Sequence, residues 1–305
     1  MSRIASALDY PTRPVRLLVG FAPAGTTDIS ARLAGQWLSD RLGQQFIIEN
    51  RSGASSNIAA GAVVRAPPDG YTLLVVTGAN AINATLYSNL DFDFIRDIVP
   101  VAGIMRPPSV MVVNSSFPAK TVPEFIAYAK AHPRKLNMGT GGPGTSLHVF
   151  GELFKMMAGV DLVPVAYRGG APALVDLLGG QVQVIFDPLP EAIGYIRAGQ
   201  LRALAVTSAA RAPALPDVPT VGEFVPGFEG SGFFGVGAPK NTPPEIVDRL
   251  NREINAALAD PKNQARIIEL GGIPMPMTPA EFGQLIAEQT EKWGKVIRAA
   301  NIKLE

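Results

Sequence analysis

The chain contains 305 residues, of which 47% are hydrophobic and 17% charged, and its formal net charge is +1. This length is enough for two sizeable hydrophobic cores, so two domains are favoured over one. The near-neutral charge, with acidic and basic residues interspersed, argues against nucleic acid or an anionic membrane surface as a partner. The absence of cysteine excludes disulfides, thiolate metal sites and thiol nucleophiles, and it fits an oxidising compartment without requiring one.

The N-terminal segment leaves the cellular compartment open. No apolar run approaches the roughly 18–20 residues needed to cross a bilayer, and residues 1–10 contain no apolar stretch of signal-peptide length. Ala5-Ser6-Ala7 nevertheless has the small-x-small pattern found near signal-peptide cleavage sites. Either the protein is cytoplasmic or a signal peptide has been removed from this chain, and the residues alone favour the first interpretation.

Apolar, β-rich runs alternate with segments of helical periodicity along the chain, which is typical of parallel α/β proteins. The predicted strands are Val15–Phe21, Phe46–Glu49, Thr72–Thr77, Val110–Val113, Asn137–Gly139, Leu162–Ala166, Val182–Phe186, Leu201–Thr207 and Phe233–Val236. The predicted helices are Ile29–Leu42, Ile58–Arg65, Val122–Ala131, Leu147–Ala158, Ala173–Leu178, Ala192–Ala198, Pro244–Ala259 and Pro279–Ala300.

This alternation repeats at the scale of a domain and predicts two similar α/β lobes. We expect residues 1–103 and 232–305 to form a discontinuous first lobe, and residues 104–231 to form the second. Each lobe is predicted to be a mainly parallel sheet flanked by helices, with a cleft between the two. Because the chain would cross between the lobes twice, the crossings predict a hinge.

The first candidate site is the strand-to-helix loop Phe21-Ala22-Pro23-Ala24-Gly25-Thr26-Thr27-Asp28. Gly25 permits a tight turn, and Thr27 or Asp28 is expected to cap the helix. A helix N-terminus carries about half a positive charge, so a carboxylate or phosphate is the expected ligand. An ordinary capped turn explains the same residues, and both interpretations stay open on the residues alone.

The second candidate site is the strand-to-helix loop that begins at Gly139. Its glycines match G-x-G-x-x-G, but Thr145 stands where a P-loop requires lysine. The acid that would hold a ribose is also missing from the end of the next strand, which argues against a dinucleotide site. What remains is an anion-binding loop, in which the residues expected to face an anion are Gly141, Gly142, Thr145 and Ser146. His148, in the first turn of the helix, is either a ligand donor or a packing residue.

Two further turns carry polar side chains. In Tyr167-Arg168, the guanidinium group is either a fork for a carboxylate or one partner of an interdomain ion pair. Asp187 follows a predicted strand and either caps the next turn or faces the cleft. The chain has two histidines, His132 and His148, and neither a metal-binding cluster nor a hydrolase motif is present. We therefore expect no catalytic residues, no metal and no cofactor.

Taken together, the motifs closely resemble those of the Bug-type substrate-binding proteins of tripartite tricarboxylate transporters, over almost the whole chain. Besides the loop at residues 21–28, the motifs that carry the resemblance are Tyr10-Pro-x-Arg-Pro-Val-Arg16, Arg41-Leu-Gly-Gln44, Glu49-Asn-Arg-Ser-Gly53, Pro68-Asp-Gly-Tyr-Thr-Leu73, Tyr167-Arg-Gly169, Asp176-Leu-Leu-Gly-Gly-Gln-Val182, Leu201-Arg-Ala-Leu-Ala-Val-Thr-Ser208 and Leu215-Pro-x-Val-Pro-Thr220.

The resemblance implies a two-lobed periplasmic binding fold that closes on a small mono-, di- or tricarboxylate and performs no chemistry on it. It also implies delivery to the membrane subunits of such a transporter, a periplasmic location and a monomer, with no nucleic acid. In the family, backbone amides and ordered waters of two loops hold one ligand carboxylate. The matching positions are the loop from Phe21 to Asp28, the loop from Gly141 to His148, and Asp187. The family usually has P-G-G where this chain has Pro23-Ala24-Gly25, and Ala24 restricts the backbone there.

Two other classes of protein are compatible with parts of the sequence. A nucleotide-dependent α/β enzyme would use the Gly139–Gly144 loop, and it predicts a melting shift with NAD or ATP. A cytoplasmic effector-binding sensor domain would have the same two-lobed shape. The sensor is disfavoured because no DNA-binding module is attached and the net charge is close to neutral.

Overall fold

The structure, a computed structural model, describes residues 9–87, 89–299 and 302. The Ala5-Ser6-Ala7 pattern lies outside these residues. The described chain forms two five-stranded sheets, each with helices on its faces. None of its helices combines the length and the hydropathy that a membrane span needs.

The first sheet has the strand order β2-β1-β3-β10-β4. Strand β1 pairs in parallel with β2 and β3, whereas β10 is antiparallel to both β3 and β4. Four of the five strands therefore run in one direction. Their bounds are β1 Val15–Val19, β2 Phe46–Asn50, β3 Thr72–Thr77, β4 Ile98–Met105 and β10 Phe234–Pro239.

The second sheet has the strand order β7-β6-β8-β5-β9 and repeats the same plan. Strand β6 is parallel to β7 and β8, and β5 is antiparallel to β8 and β9. In both sheets the antiparallel strand is the first strand after a crossing between the lobes. The bounds are β5 Ser109–Asn114, β6 Asn137–Thr140, β7 Val163–Ala166, β8 Val184–Pro188 and β9 Leu201–Val206.

Most helices follow the parallel strands directly, as expected for right-handed strand–helix–strand units. In the first half of the chain they are α1 Thr26–Leu42, α2 Asn57–Val64, α3 Gly78–Leu86, α4 Phe94–Asp97 and α5 Val122–Ala131. In the second half they are α6 Ser146–Ala158, α7 Gly170–Leu178, α8 Leu189–Arg197, α9 Pro244–Ala259, α10 Pro261–Glu269 and α11 Pro279–Ala299.

Both sheets are covered on both faces, which explains why their central strands are apolar almost throughout. In β1, four of the five residues are buried, and Arg16 is partly buried in an ion pair with Glu49 at 2.7 Å. In β5, the first five residues are buried and only Asn114 is partly exposed. Continuous burial of this kind favours the β-branched and aliphatic residues that these strands contain.

The C-terminal helix α11 packs against both lobes. Phe282 and Leu285, near its start, belong to an apolar cluster of the first lobe. Trp293 and Ile297, near its end, pack in a cluster of the second lobe, where the Trp293 ring lies 5.0 Å from that of Phe150. The helix therefore bridges the two lobes in addition to the two backbone crossings.

The predicted fold class is confirmed, with two α/β lobes that each contain one mainly parallel sheet. The predicted domain boundaries at 103/104 and 231/232 remain a prediction. Strand β4 of the first sheet continues to Met105, two residues beyond the first of these boundaries.

Candidate functional site

Five helices begin around one pocket between the lobes. In the first lobe these are α1 and α3, and in the second lobe they are α6, α7 and α8. Each helix follows a strand, so the pocket lies at the carboxyl ends of strands from both sheets, where α/β proteins bind their ligands. The lining residues at the five helix starts are Gly25, Thr27, Thr77, Gly78, Ala79, Thr145, Ser146, Leu147, Gly169, Gly170, Pro188 and Glu191.

Side chains of the chain itself cap two of these helices. The Thr145 hydroxyl accepts the His148 N–H at the start of α6 and donates to the Gly142 carbonyl oxygen at 2.8 Å. The Thr77 hydroxyl accepts the Ala79 N–H at the start of α3, and Asn80 accepts the Thr77 N–H at 2.9 Å. These caps fix the first turns, so the remaining N–H groups have defined directions.

The helix starts make the pocket attractive to anions. Each helix N-terminus carries roughly half a positive charge from its unpaired N–H groups, and five of them surround the same space. At the start of α1, the Thr26 N–H already donates to the Glu191 carboxylate. The described lining residues include no lysine or arginine. The pocket therefore attracts negative charge through backbone dipoles rather than through a basic side chain.

Apolar side chains complete the pocket wall. Phe21 comes from the β1–α1 loop, Leu147 from α6, and Phe233 and Phe234 from the second crossing and the start of β10. This mixture of apolar wall and polar ends is typical of sites for small organic molecules.

Two acidic side chains of the second lobe lie beside the start of α7. A Cβ atom at Gly170 would be 2.3 Å from Glu191 Oε2 and 2.5 Å from Asp187 Oδ1, so these two oxygens are at most about 5 Å apart. Glu191 Oε1 accepts the N–H of Thr26, at the start of α1 in the first lobe, at 2.5 Å. Glu191 Oε2 and both oxygens of Asp187 are buried and accept no hydrogen bond from the described residues.

The environment of the two acids raises the pKa of each. For Glu191, burial raises the pKa to about 7, and the hydrogen bond from the Thr26 N–H opposes this effect. For Asp187, burial comes first and the nearby Glu191 carboxylate second, and together they raise the pKa well above its usual value. Two carboxylates this close in a desolvated place disfavour each other's ionised form.

Hydrogen bonds across the cleft hold the lobes together beside the pocket. The Ala22 N–H donates to the carbonyl oxygen of Arg168 at 3.2 Å. The hydroxyl groups of Ser55 and Tyr87, both in the first lobe, donate to the carbonyl oxygen of Pro143, at 2.5 and 3.5 Å. These hydrogen bonds join the two lobes directly beside the pocket.

Several residues predicted from the sequence come together in the structure. The pocket is lined by Phe21, Ala22, Gly25, Thr27, Gly141, Thr145 and Ser146. An adjoining cavity is lined by Phe21, Gly141, Gly142, Tyr167 and Arg168, together with residues 53–55 of the first lobe. The two predicted loops thus face each other, and their contact with a ligand remains a prediction.

Other predicted residues have structural roles outside the lining. The Asp28 carboxylate accepts the Ala24 N–H at 3.0 Å and pairs with Arg32 at 2.8 Å. Burial is the largest single influence on the pKa of Asp28 and raises it, but the hydrogen bonds together outweigh burial and lower this pKa. The predicted capping role of Thr27 or Asp28 is wrong, because α1 begins earlier and its N-cap is Gly25. Pro23 and Ala24 are exposed, and Ala24 adopts a left-handed φ of 69°.

His148 and Tyr167 support the loops from behind. The Nδ1 atom of His148 accepts the Gly144 N–H at 3.3 Å, which holds the second loop against α6. The Tyr167 hydroxyl donates to Asp176 at 2.6 Å, and burial followed by this carboxylate raises the pKa of Tyr167 to about 12. The predicted capping role of Asp187 is also wrong, since α8 starts at a Pro188 N-cap without a side-chain cap.

Sequence reasoning missed Glu191, Gly169, Gly170 and the segments 77–79 and 232–234. The sequence does contain a signal for the acid pair. Asp187 and Glu191 are four residues apart, the first at the end of a strand and the second just after the Pro188–Pro190 start of a helix. The start of α3 offered little signal, because Gly78-Ala-Asn-Ala has no helical apolar periodicity.

The glycine motif that begins at Gly139 does not form a phosphate-binding loop. Gly139 lies inside β6, where a Cβ atom would be 3.0 Å from Ile185 Cγ1, so this glycine serves strand packing. The described residues also contain no group of three or more metal-ligating acidic or histidine side chains. The five helix starts around a pocket between two lobes support the capture of an anionic solute, and this arrangement is typical of two-lobed solute-binding proteins.

Comparison with known proteins gives the family. Residues 30–302 match the model of the tripartite tricarboxylate transporter family receptor, and the chain belongs to this family. The chain is 36% identical over 303 residues to the protein BugT of Bordetella pertussis, which covers 98% of this chain and 93% of BugT. The resemblance to Bug-type binding proteins is thus confirmed.

Solved structures agree with this assignment. Rpa4515 of R. palustris, solved with adipate, is 41% identical and superposes with a TM-score of 0.94, covering 96% of this chain and 99% of that one. The periplasmic binding protein BugD is 33% identical and has a TM-score of 0.92, with 96% of this chain and 99% of that one covered. The chain is therefore a solute-binding receptor with the two-lobed periplasmic binding fold.

Proposed function

We propose that this protein captures a small organic carboxylate in the periplasm and delivers it to the membrane subunits of a tripartite tricarboxylate-type transporter. The observation that carries the proposal is the convergence of five helix starts on one pocket between the lobes. The binding of adipate by the similar protein Rpa4515 supports a carboxylate as the ligand. We propose further that the protein acts as a monomer and does not alter its ligand.

Backbone dipoles suit a carrier that must also release its cargo. Amide groups hold a carboxylate without a full positive charge, so the bound anion is not trapped by a strong ion pair. The contacts come from both lobes, and opening of the cleft removes one half of them at once. The ligand shifts the equilibrium towards closure by its extra contacts in the closed state.

A thermal-shift screen tests the proposal. A ligand at 100 times its dissociation constant adds about 2.7 kcal/mol to the free energy of unfolding, which is readily seen as a higher melting temperature. We expect shifts with organic acids and none with sugars, NAD or ATP. A shift with NAD or ATP, and with no organic acid, would favour the nucleotide-dependent enzyme instead.

A further inference from the structure

The two chain crossings between the lobes are anchored to the second lobe by one residue. Thr207, directly after β9, is completely buried and contacts both crossings. Its hydroxyl accepts the Ser109 N–H at 3.2 Å and donates to the Gly230 carbonyl oxygen at 2.6 Å. Its backbone N–H donates to the Ser109 carbonyl oxygen at 2.8 Å, and its carbonyl oxygen accepts the Gly230 N–H at 2.9 Å. Ser109 and Gly230 are therefore fixed to the second lobe.

Both crossings are anchored to the first lobe only a few residues away. On the first crossing, the Arg106 N–H donates to the Ile273 carbonyl oxygen at 2.8 Å, in the segment between α10 and α11. On the second crossing, Phe233 is buried, and its ring makes an edge contact with that of Phe282 in α11, with the ring centres 6.0 Å apart. Arg106 and Phe233 are therefore fixed to the first lobe.

Two residues of each crossing lie between these anchors, and the two pairs differ in their conformational freedom. The first pair is Pro107-Pro108, in which each ring fixes φ near about −65° and also restricts the residue before it. The second pair is Ser231-Gly232. Ser231 is held by an antiparallel bridge to Pro108, whereas a Cβ atom at Gly232 would meet nothing within 4 Å. The first crossing is thus a stiff spacer, and Gly232 is the least restrained residue of the second.

The helix α11, which packs on both lobes, contacts the second lobe close to this glycine. Lys292 of α11 pairs at 2.7 Å with Glu229, which is three residues from Gly232. The next residue of the helix, Trp293, packs on Phe150. Rotation displaces atoms least near its axis, so these contacts are retained if the lobes turn at Gly232, while atoms further away move more.

The same glycine lies in the wall of the ligand pocket. Gly232 lines the pocket together with the next two residues, Phe233 and Phe234. A solute that packs on this segment therefore contacts the residue whose backbone angles set the position of one lobe against the other.

We propose that Gly232 is the pivot of lobe rotation, while the Pro107-Pro108 spacer keeps the first crossing at constant length. The inference rests on the proposed function, because it assigns a place to the rotation which that function requires. It turns the second crossing into the element that couples solute contact to lobe position.

Two substitutions with opposite expected effects test the inference in the ligand-free protein. Gly232→Ala fits the observed backbone, since its Cβ atom meets nothing within 4 Å and the φ of Gly232 lies outside the left-handed region. It removes the conformations that only glycine adopts readily. Pro107→Gly has the opposite effect, because it releases the fixed φ of the spacer.

Double electron–electron resonance between two spin labels measures the lobe positions. The labels are attached at Gln36→Cys in α1 and Val175→Cys in α7, two exposed positions on helices that begin at the pocket in opposite lobes. The chain has no other cysteine, so only these positions are labelled. Because no solute is present, a direct effect of the new methyl group on solute binding does not enter the measurement.

We expect the wild-type protein to give a broad distribution of distances. Gly232→Ala should lose the distances furthest from the one in this structure, and Pro107→Gly should broaden the distribution. Gly194→Ala is the matched control, since a Cβ atom there also meets nothing within 4 Å and its φ is also outside the left-handed region, and it should give the wild-type distribution. Melting curves verify that each variant is folded, and Gly232→Ala decides alone if Pro107→Gly does not fold.

The outcomes separate this inference from the function on which it rests. A single narrow distance in the wild-type protein, or a Gly232→Ala distribution equal to that of Gly194→Ala, would overturn the inference and leave the capture of carboxylates intact. Absence of a thermal shift with every organic acid would contradict the proposed function, whereas the distances in the ligand-free protein would still locate the pivot.

Discussion

The hydroxyl of Ser55 in the first lobe donates a hydrogen bond to the carbonyl oxygen of Pro143 in the second lobe, at 2.5 Å. Ser55 has a left-handed φ of 50°, and its neighbours Ala54 and Ser56 are left-handed as well. Such conformations are costly for residues other than glycine and persist where surrounding contacts impose them. Asn83 supplies one of these contacts, since its side-chain amide donates to the Ser55 carbonyl oxygen at 2.7 Å.

Replacement of Ser55 tests whether this contact favours closure. Ser55→Ala removes the hydrogen bond across the cleft, and we expect ligand affinity to fall by about 1 kcal/mol, roughly fivefold, as for a neutral hydrogen bond. Calorimetry measures the affinity, and small-angle scattering with saturating ligand measures closure. Ser208→Ala is the control, because the Ser208 hydroxyl bonds locally to the Ala210 carbonyl oxygen. Equal affinities for the two variants would show that the Ser55 contact does not contribute.

The raised pKa of Glu191 predicts how stability depends on pH. Burial raises this pKa to about 7 from an ordinary value of 4.5, so between these values the folded protein holds a proton that the unfolded chain has lost. The free energy of unfolding should therefore fall as the pH rises from about 4.5 to about 7, and then level off. Chemical denaturation without ligand, at several pH values, measures this.

Glu191→Gln should show a smaller decline over the same pH range, because the amide does not titrate. Part of the decline should remain, since the pKa of Asp187 is raised mainly by burial. Glu245→Gln is the control, because Glu245 is exposed in the first turn of α9 and is not part of the pocket lining, and it should behave as the wild-type protein does. A decline of the same size in all three proteins would mean that Glu191 is ionised throughout.

Two glycine substitutions distinguish an effect at the Asp187–Glu191 pair from a general effect on helix stability. Gly170→Ala places a Cβ atom 2.3 Å from Glu191 Oε2 and 2.5 Å from Asp187 Oδ1, and we expect loss of ligand binding together with a lower melting temperature. Gly194→Ala, within α8, meets nothing within 4 Å and should stabilise the protein by about 0.5–1 kcal/mol. Wild-type affinity in Gly170→Ala would place the ligand away from the start of α7, where Gly170 lines the pocket.

Arg168 distinguishes an amide-based site from a guanidinium-based site. Its side chain is exposed at the adjoining cavity, and its contact across the cleft is made by its backbone carbonyl oxygen, which alanine retains. We therefore expect Arg168→Ala to lose little affinity, whereas Ser146→Ala should lose about 1 kcal/mol, roughly fivefold. Calorimetry that shows no binding for Arg168→Ala and wild-type binding for Ser146→Ala would contradict this arrangement.

The two tryptophans test the bridging role of α11. Trp293→Ala removes a side chain that is 2% exposed and packs on Phe150 of the second lobe, and it should destabilise the protein by about 3–5 kcal/mol. Trp37→Ala, in the core of the first lobe alone, should destabilise the protein as well but leave ligand affinity unchanged. Trp293→Ala should also weaken binding, because α11 then holds the lobes less firmly. Equal affinities in the two variants would contradict the bridge.

Much of the fold could be predicted because apolar periodicity is strong in buried strands and amphipathic helices. Thr72–Thr77, Val122–Ala131 and Pro244–Ala259 have the predicted bounds. Strand β4 was missed because Pro100 interrupts its apolar run, and α3 was missed because it lacks a helical apolar pattern. Strand β4 adjoins a crossing between the lobes, and the start of α3 adjoins the pocket. Residues at both places are therefore selected by more than packing in one core.

The predicted helices beside the site start too late, and this error has one cause. Helix α1 was predicted from Ile29 and begins at Thr26, and α8 was predicted from Ala192 and begins at Leu189. The first turns are Thr26-Thr27-Asp28 in α1 and Leu189-Pro190-Glu191 in α8, and neither shows the apolar periodicity of a helix. The contact between Thr26 and Glu191 depends on the approach of two lobes, which local sequence patterns do not reveal.

The insertion of the second lobe into the first has a consequence for biosynthesis. All five strands of the second sheet lie between Ser109 and Val206, whereas the first sheet needs β10, which ends at Pro239. As the chain leaves the ribosome, the second sheet therefore has all its strands while β3 and β4 of the first sheet still lack the strand that joins them. Unpaired strand edges invite aggregation. The first lobe is thus the part of the nascent chain that most needs protection by chaperones, although it begins to emerge first.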